Sequence, residues 1–423
     1  MDDKLNWAGN YRYGSSDIIE PESMEEVREA VARTARIRAL GSRHSFNAIA
    51  DTEGTQLSLR KLDRVIELDK ARGTVTVEGG IRYGELCSYL NDEGYALHNL
   101  ASLPHISVAG AIATATHGSG DRNQGLAGGV RSIELVKANG ETVVLTRDTD
   151  SDFEGAVVGL GGLGVVTKLQ LDVVPSFQVS QTVYDKLPWS ALEDGGLDRV
   201  FSSAYSVSLF TSWEGPSFNQ VWVKRKLSGG EEDAVLQSPS DFFGAAAAPA
   251  KRHPVPCQAE VNCSEQSGVP GPWHERLPHF RMEFTPSAGN ELQSEYFVPR
   301  KHALEALRAL NKLREHIAPL LYISEVRTIA ADDFWMSPCY KQDSVGLHFT
   351  WKPEWERVRQ VLPLIERELD AFGVRPHWGK LFTMEPSKVQ SLYERLPDFR
   401  NLLLRYDPHG KFRNGFLDVY VMQ

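Results

Sequence analysis

Glycine is concentrated in one part of this chain of 423 residues. Residues 101–170 contain 12 of the 35 glycines, whereas an even distribution would place about 6 there. Glycine is used where the backbone adopts a positive φ or where another group approaches it closely. We therefore expect this part of the chain to form a ligand site that is lined by backbone.

One glycine-rich stretch, residues 159–164, has the spacing G-x-G-x-x-G of a dinucleotide-binding turn. Such a turn should open a helix and precede an acidic residue about 20 positions further on. Here the following residues, 165–173, alternate between apolar and polar side chains and end before Pro175. This pattern predicts a strand, so it argues against a doubly wound nucleotide-binding fold. It indicates a glycine turn that brings backbone close to a ligand.

A second stretch, residues 94–120, contains no Asp, Glu, Lys or Arg over 27 positions. With 24% charged residues in the chain, a surface segment of that length would carry about six. The stretch is therefore expected to be buried or to line a site. Its small residues could surround a phosphate or a flat ring with backbone N–H groups. A tightly packed structural segment fits the same composition.

A third segment, residues 41–47 with the sequence GSRHSFN, lies in a locally basic part of the chain. Residues 31–50 include four arginines and no acidic residue. A glycine turn in a positive field suits an anionic ligand. A lone loop histidine such as His44 is more often a polar surface residue, so its role stays open on these grounds.

Charged and polar residues cluster on two predicted strands in the second half of the chain. Glu325 and Arg327 are two positions apart and share a strand face, as do His348 and Thr350 on the next strand. Lys380 follows in the sequence HWGK, closer to the C-terminus. If these side chains converge, they form a pocket suited to a polyhydroxylated substrate and to a developing alkoxide. Salt bridges along strand faces would give the same pattern.

The overall charge limits the classes of partner. The chain has 46 Lys and Arg against 56 Asp and Glu, a net charge of −10. This balance argues against nucleic-acid and anionic-membrane partners, which bind basic faces. No apolar run approaches the roughly 18 residues of a membrane span, and the N-terminus lacks the pattern of a secretory signal. We expect a monomeric, cytoplasmic protein that acts on small molecules.

Cysteine and histidine spacing predicts neither a disulfide framework nor a metal site. The chain has four cysteines, of which Cys257 and Cys263 are close enough in sequence to pair. No zinc-binding spacing is present. His274 and His279 come near the metalloprotease pattern H-E-x-x-H, but the spacing is one residue too long. Pro278 would also break the helix that the pattern needs.

Taken together, the ordered segments ALGSRHSFN (residues 39–47), LPHISVAG (103–110) and THGSG (116–120) resemble the vanillyl-alcohol-oxidase family of FAD-dependent oxidoreductases. The similarity is greatest to the family's alditol (xylitol) oxidase and sugar-lactone oxidase branch. Residues 159–166 fit the family's late glycine turn, and residues 407–414 fit its C-terminal return. The resemblance covers nearly the whole chain.

The resemblance implies a two-domain α+β fold of the VAO/PCMH type, with an antiparallel-sheet substrate (cap) domain. Residues 1–176 would form the FAD-binding domain, residues 177–375 the cap domain, and residues 376–423 a return to the FAD-binding domain. It also implies that FAD is bonded covalently through His44 to the flavin 8α-methyl carbon. Further cofactor contacts would come from Gly41, Ser42, Arg43, Ser45, Ser107, Gly110, Thr114, His117, Gly118, Ser119, Gly159, Gly162, Gly164 and Val166.

The implied reaction is oxidation of the terminal hydroxyl of an alditol of the xylitol or sorbitol type to the aldose, with O2 reduced to H2O2. The substrate would contact Ser107, Glu325, Arg327, His348, Thr350 and Lys380. Of these, the four expected to take part in catalysis are Glu325, Arg327, His348 and Lys380. Two alternatives stay open: a sugar-1,4-lactone oxidase or dehydrogenase, and a catalytically silent flavin-binding module.

Overall fold

The computed structural model describes residues 4–15, 17–227, 239–256, 258–282 and 290–423. Within these ranges the chain is α+β, with two large antiparallel sheets of unequal size. Cys257 lies outside the described residues, while Cys263 is a buried thiol. No helix in the described part of the chain combines the length and apolar character that a membrane crossing requires.

The first group of strands occupies residues 17–175. These strands are β1 (Asp17–Ile19), β2 (Ile37–Leu40), β3 (Thr55–Ser58), β4 (Val65–Asp69), β5 (Thr74–Glu78), β6 (Tyr95–Ala96), β7 (Val130–Val136), β8 (Thr142–Thr146), β9 (Val165–Asp172) and β10 (Val174–Pro175). A parallel sheet has the order β1-β3-β2, and an antiparallel sheet has the order β4-β5-β9-β7-β8. The glycine turn at residues 159–164 therefore leads into a strand, β9, as the alternating sequence predicts.

The second group of strands forms one large sheet. These strands are β11 (Gln178–Pro188), β12 (Ser206–Thr211), β13 (Ser217–Lys226), β14 (Asp241–Phe242), β15 (Ala245–Ala247), β16 (Pro270–Pro272), β17 (Leu292–Pro299), β18 (Leu321–Ile329), β19 (Ser344–Trp351) and β20 (Arg375–Pro376). Their order is β14-β15-β11-β13-β12-β18-β19-β17-β20, with β16 paired to β11. Every residue of β19 is buried, which places it in the interior of the molecule.

Helices cover the sheets and connect them. They span Met24–Arg33, Tyr83–Asp92, Val108–Ala113, Phe153–Val157, Gly196–Ser202, Trp273–Arg276, Ala303–Lys312, Arg314–Ile317, Trp355–Leu369, Pro386–Ser391, Leu396–Tyr406 and Gly415–Leu417. The helices Ala303–Lys312 and Trp355–Leu369 bury apolar stripes that include Leu307 and Leu362. Gly373, at a φ of 66°, ends the second of these helical segments, because a left-handed residue stops a helix.

The C-terminal part of the chain returns to the first group of strands. Gly379 O accepts a hydrogen bond from Phe46 N at 2.7 Å, and Lys411 O accepts one from Ile37 N at 3.1 Å. Asn414 donates to the carbonyl of Ala48 at 3.0 Å. These bonds hold the segment after β20 beside the loop that carries His44.

Candidate active site

A cavity of about 460 Å³ lies between the glycine-rich segments and the large sheet. Its size falls within the roughly 300–1,000 Å³ that is usual for small-molecule sites. One half is lined by residues 38–46 and by most residues of the small-residue segments 107–114 and 156–166. The other half is walled by polar side chains from β17, β18 and β19 and from residues 377–380. The cavity thus joins the two halves of the molecule.

The backbone-lined half is shaped by the absence of side chains. A Cβ atom added to Gly41 or Gly110 would lie 2.6 or 2.7 Å from Ser107 Oγ. Ser107 Oγ is itself buried and has no hydrogen-bond partner among the described residues. Ser107 N donates to Ser42 Oγ at 3.2 Å, which ties the two segments together. Bare backbone beside an unpaired buried hydroxyl fits a bound flat ligand with polar edges.

Most residues that were expected to contact the cofactor lie in the cavity wall. These are Gly41, Ser42, Arg43, His44, Ser45, Ser107, Gly110, Thr114, His117, Gly159, Gly164 and Val166. Three others do not lie in this wall: Gly118, Ser119 and Gly162.

The three residues outside the wall have packing roles. Ser119 Oγ donates to Val207 O at 2.6 Å, which joins the glycine-rich segment to β12. A Cβ on Gly118 would lie 2.4 Å from Leu100 O. A Cβ on Gly162 would lie 2.7 Å from a leucine methyl of the helix Leu396–Tyr406. These packing contacts are what the structure shows for the three residues, and their contact with the cofactor stays a prediction.

His44 faces the cavity in a neutral form. Its Nδ1 donates to Ser42 O at 2.9 Å, because a carbonyl oxygen can only accept. Its Nε2 lies 2.6 Å from Nε2 of His105, and Trp7 stacks on the ring at a centroid distance of 4.8 Å. Desolvation and His105 lower the pKa of His44 to about 3. A neutral imidazole is the form that can act as a nucleophile.

The polar half of the cavity is built by strand register. Glu325 on β18 pairs with His348 on β19, which pairs with Glu295 on β17. Two positions along, Arg327 pairs with Gly346. A Cβ on Gly346 would lie 3.2 Å from a carboxylate oxygen of Glu295, so the glycine leaves room for that carboxylate. The predicted sharing of a face by residues two apart holds on both strands.

Glu295 is the centre of a buried ion cluster. Its side chain is 1% exposed. Arg327 Nη2 lies 2.8 Å from one carboxylate oxygen, and Lys380 Nζ lies 2.6 Å from the other. His117 Nε2 is 3.2 Å away. Burial alone would raise the pKa of Glu295, but Lys380 and Arg327 hold it well below its usual range.

His348 is held as a neutral hydrogen-bonding group. Lys380 Nζ donates to His348 Nδ1 at 2.8 Å, because an ammonium group cannot accept. His348 Nε2 then carries the hydrogen and donates to Thr350 Oγ1 at 3.1 Å. Burial and Lys380 hold the pKa of His348 well below its usual range. Burial also lowers the pKa of Lys380, although Glu295 opposes this.

Arg327 also presents an unused donor. Its Nε is buried and lacks a hydrogen-bond partner among the described residues. The nearest carboxylate oxygen of Glu325 is 3.7 Å away, which is too far for a hydrogen bond. Glu325 accepts instead from His279 Nε2 at 2.8 Å. An unpaired guanidinium N–H in the cavity wall can receive an oxygen atom of a ligand.

Several residues of the site were not identified from the sequence, among them His279 and Glu295 in the cavity wall and His105 beside His44. Glu295 is the only charged residue of β17, and this could have indicated a buried role. His279 drew notice only as part of a rejected metal pattern. In the described ranges, no group of three or more His, Cys, Asp or Glu residues could hold a metal ion.

Two family profiles match the chain. The profile described as FAD binding domain matches residues 16–146. The profile described as D-arabinono-1,4-lactone oxidase matches residues 288–420. The first match covers the cavity wall at residues 38–46 and 107–114, and the second covers β17, β18, β19 and Lys380. The cavity wall at residues 156–166 lies between the two matches.

Two curated proteins align with nearly the whole chain. The chain is 48% identical over 415 residues to alditol oxidase of a Streptomyces species, covering 97% of both chains. It is 30% identical to L-gulono-1,4-lactone dehydrogenase of Mycobacterium tuberculosis, again over 97% of both chains. The crystal structure of cholesterol oxidase from B. sterolicum superposes with a TM-score of 0.76 at 14% identity, over 99% of this chain and 96% of that one.

Proposed function

The chain belongs to the vanillyl-alcohol-oxidase family of FAD-dependent oxidoreductases, with alditol oxidase among its relatives, and from this we propose that it oxidises alditols. The reaction converts R–CH2OH and O2 into R–CHO and H2O2, so two electrons and two protons pass from the alcohol to oxygen. The observation that carries the proposal is the cavity wall in which Glu295 holds Arg327 and Lys380, with Lys380 donating to a neutral His348.

The residues of the backbone-lined half fit FAD. The bare backbone at Gly41 and Gly110 and the unpaired Ser107 hydroxyl match a flat ring with polar edges. The glycine turn at residues 159–164 and Val166 would hold the rest of the cofactor. When bound, FAD supplies a two-electron acceptor for hydride.

The chain's own residues bind and polarise the alcohol. We assign Arg327 and Lys380 the role of favouring the alkoxide form of the reacting hydroxyl, because both cations are fixed before substrate arrives. Glu325 orients a substrate hydroxyl by accepting its hydrogen bond. Thr350, His348 and Ser107 bind the remaining hydroxyls. Glu295 keeps the two cations in place and balances their charge.

We further propose that His44 is the covalent attachment point of FAD. The neutral state of the imidazole and its position in the cavity wall support this assignment. Acid precipitation of the purified protein tests it. We expect the flavin to stay with the pellet in the wild type and to enter the supernatant in His44→Ala. Flavin released from the wild-type protein would contradict the bond.

A sugar-1,4-lactone oxidase is the second candidate, because the lactone-oxidase profile covers residues 288–420. The two activities are separated by peroxide release with xylitol or sorbitol compared with a γ-lactone. The alditol proposal requires turnover with the polyols that exceeds turnover with the lactone. Faster turnover with the lactone would reverse the assignment, and reduction without peroxide would indicate a dehydrogenase.

The assignment of residues 1–176 and 376–423 to FAD binding and of residues 177–375 to a substrate cap is part of the same proposal. The hydrogen bonds from the segment after β20 to the loop around His44 support it. The monomeric state and the cytoplasmic location expected from the sequence stay predictions.

A further inference from the structure

Three buried ionisable side chains form a line that leads from the cavity into the large sheet. Lys224 on β13 is 1% exposed, and its Nζ lies 3.2 Å from His279 Nδ1. His279 Nε2 lies 2.8 Å from a carboxylate oxygen of Glu325. Lys224 Nζ also donates to the carbonyl of Leu277. The ammonium and the carboxylate are thus joined through an imidazole.

The hydrogen-bonding capacity of the three groups fixes the tautomer of His279. A protonated Lys224 can only donate, so His279 Nδ1 must accept. The ring hydrogen is then on Nε2, from which it is donated to Glu325. The ionised carboxylate can only accept, so it favours the same tautomer, and Lys224 reinforces it by donating to the lone pair on Nδ1. Lys224 therefore strengthens the hold of His279 on Glu325.

The electrostatics of the line make it sensitive to pH near neutrality. Burial lowers the pKa of Lys224 to about 7, with Glu325 and Cys263 opposing the shift and Arg327 adding to it. Burial and Lys224 lower the pKa of His279 to about 4. Burial would raise the pKa of Glu325, but Arg327 and His279 hold it below its usual range. Glu325 is therefore ionised whenever the line is intact.

We propose that Lys224 and His279 are positioning residues. They orient the Glu325 carboxylate so that its second oxygen accepts a hydrogen bond from one hydroxyl of the substrate. That oxygen has no hydrogen-bond partner within the described ranges. Neither residue was expected to contact a substrate from the sequence. The inference rests on the proposed alditol oxidation and names two determinants of its specificity.

The first test is made on holoenzyme with His279→Leu and His279→Gln. Leucine removes the donor, so KM for xylitol should rise about 10- to 100-fold, which is the effect of losing a hydrogen bond to a charged group. kcat should change much less. Glutamine retains an N–H donor and should recover most of the loss. An unchanged KM in His279→Leu would overturn the proposal.

Singly deoxygenated pentitols separate positioning from general damage to the site. The KM penalty of His279→Leu should disappear for the one deoxypentitol that lacks the hydroxyl read by Glu325. A penalty of equal size for xylitol and for every deoxypentitol would overturn the proposal in favour of a purely structural role. Wild-type enzyme that oxidises no polyol would instead refute the proposed function.

Lys224→Met provides a second, independent test if the histidine variants fold poorly. In the wild type, kcat/KM for xylitol should fall as pH rises through about 7, because Lys224 loses its positive charge and supports His279 less strongly. In Lys224→Met, kcat/KM should already be low below about pH 7, and it should fall little as the pH rises further. Lys226→Met, two positions along at an exposed site, is the matched control. A wild-type profile in Lys224→Met would overturn the proposal.

Discussion

Glu295 shows how a single residue organises the chemistry of this site. It contacts Arg327, Lys380 and His117, and it is the least exposed member of the cluster. Two cations this deeply buried would each carry a large desolvation cost without a carboxylate between them. Glu295 thus keeps both cations charged and fixed before substrate binds, which is the condition for electrostatic stabilisation of an alkoxide.

Lys380 is the residue whose replacement should affect turnover most directly. Lys380→Ala should lower kcat by about 100- to 1,000-fold, the range observed when one stabiliser of a developing oxyanion is removed. Flavin content should stay unchanged, because Lys380 lies in the polar half of the cavity. Steady-state kinetics and the flavin-to-protein absorbance ratio measure the two effects. Lys388→Ala, which changes an exposed side chain, is the control. Turnover equal to wild type in Lys380→Ala would remove Lys380 from the mechanism.

Residues two apart in a strand share a face whatever the partner strand is. The sequence could therefore predict the site residues Glu325, Arg327, His348 and Thr350. It could not find Glu295, which belongs to the site through the register of β17 against β19. That register is set by long-range packing and is not encoded in any local pattern. His279 was missed for a related reason, since it lies outside a regular strand.

Among the elements, the glycine turn before β9 depends on an arginine that the sequence did not single out. Arg38 on β2 is 2% exposed and donates only to backbone carbonyls. It contacts Leu160 O at 2.7 Å, Gly161 O at 3.2 Å, Ile49 O at 2.7 Å and Phe412 O at 2.5 Å. One guanidinium thus joins the turn, the His44 loop and the C-terminal return.

Replacing this arginine should therefore damage the backbone-lined half as a unit. Arg38→Met leaves several buried carbonyls unpaired, each costing about 1–3 kcal/mol. We expect a large drop in melting temperature together with loss of bound flavin. Thermal denaturation and the absorbance of purified protein test this. Arg33→Met, at an exposed helix position, is the control and should resemble wild type. An Arg38→Met protein that is as stable as wild type and carries flavin would contradict the role assigned to Arg38.

The arginine also refines what the local sequence could predict. The excess of positive charge in residues 31–50 indicated an anionic ligand. Arg38, however, donates its hydrogen bonds to backbone carbonyls of the chain itself. The glycine excess predicted a ligand site lined by backbone, and residues of the segments 107–114 and 156–166 do line the cavity. It could not separate glycines that face the cavity, such as Gly110, from those required by close packing, such as Gly118, because both uses need a missing side chain.

For the whole molecule, the site exists only when distant parts of the chain meet. The His44 loop lies near the N-terminus, and the Lys380 segment follows the large sheet. Asn47 donates to Trp378 O at 2.9 Å and to Lys380 O at 2.7 Å, which fixes the two segments against each other. The sequence predicted both segments but not this contact. This contact therefore links the packing of the two segments to the shape of the site.

Global stability should depend on pH through Asp332, in the connection between β18 and β19. Burial raises its pKa to about 7, although Ser337 Oγ and Phe334 N donate to it. The native state then binds a proton that the unfolded state has already lost between about pH 4 and pH 7. This group's contribution to stability is present below pH 4 and falls by up to about 4 kcal/mol as pH rises to 7.

Asp332→Asn should remove that dependence. Asparagine stays neutral at every pH, so the variant should gain melting temperature relative to wild type as pH rises from 4 to about 7. Melting curves of both proteins across this range measure the difference. Asp333→Asn, at the exposed neighbouring position, serves as the control. A constant difference between Asp332→Asn and wild type over this range would show that Asp332 is ionised in the native protein.

We propose that one cavity binds FAD on its backbone-lined side and an alditol on its polar side. Anaerobic titration of the purified yellow holoenzyme with xylitol tests this claim most directly. We predict complete bleaching of the flavin absorbance at one equivalent of polyol converted, with recovery of the colour when oxygen is admitted. Colourless protein, or yellow protein that a γ-lactone bleaches and no alditol does, would contradict it.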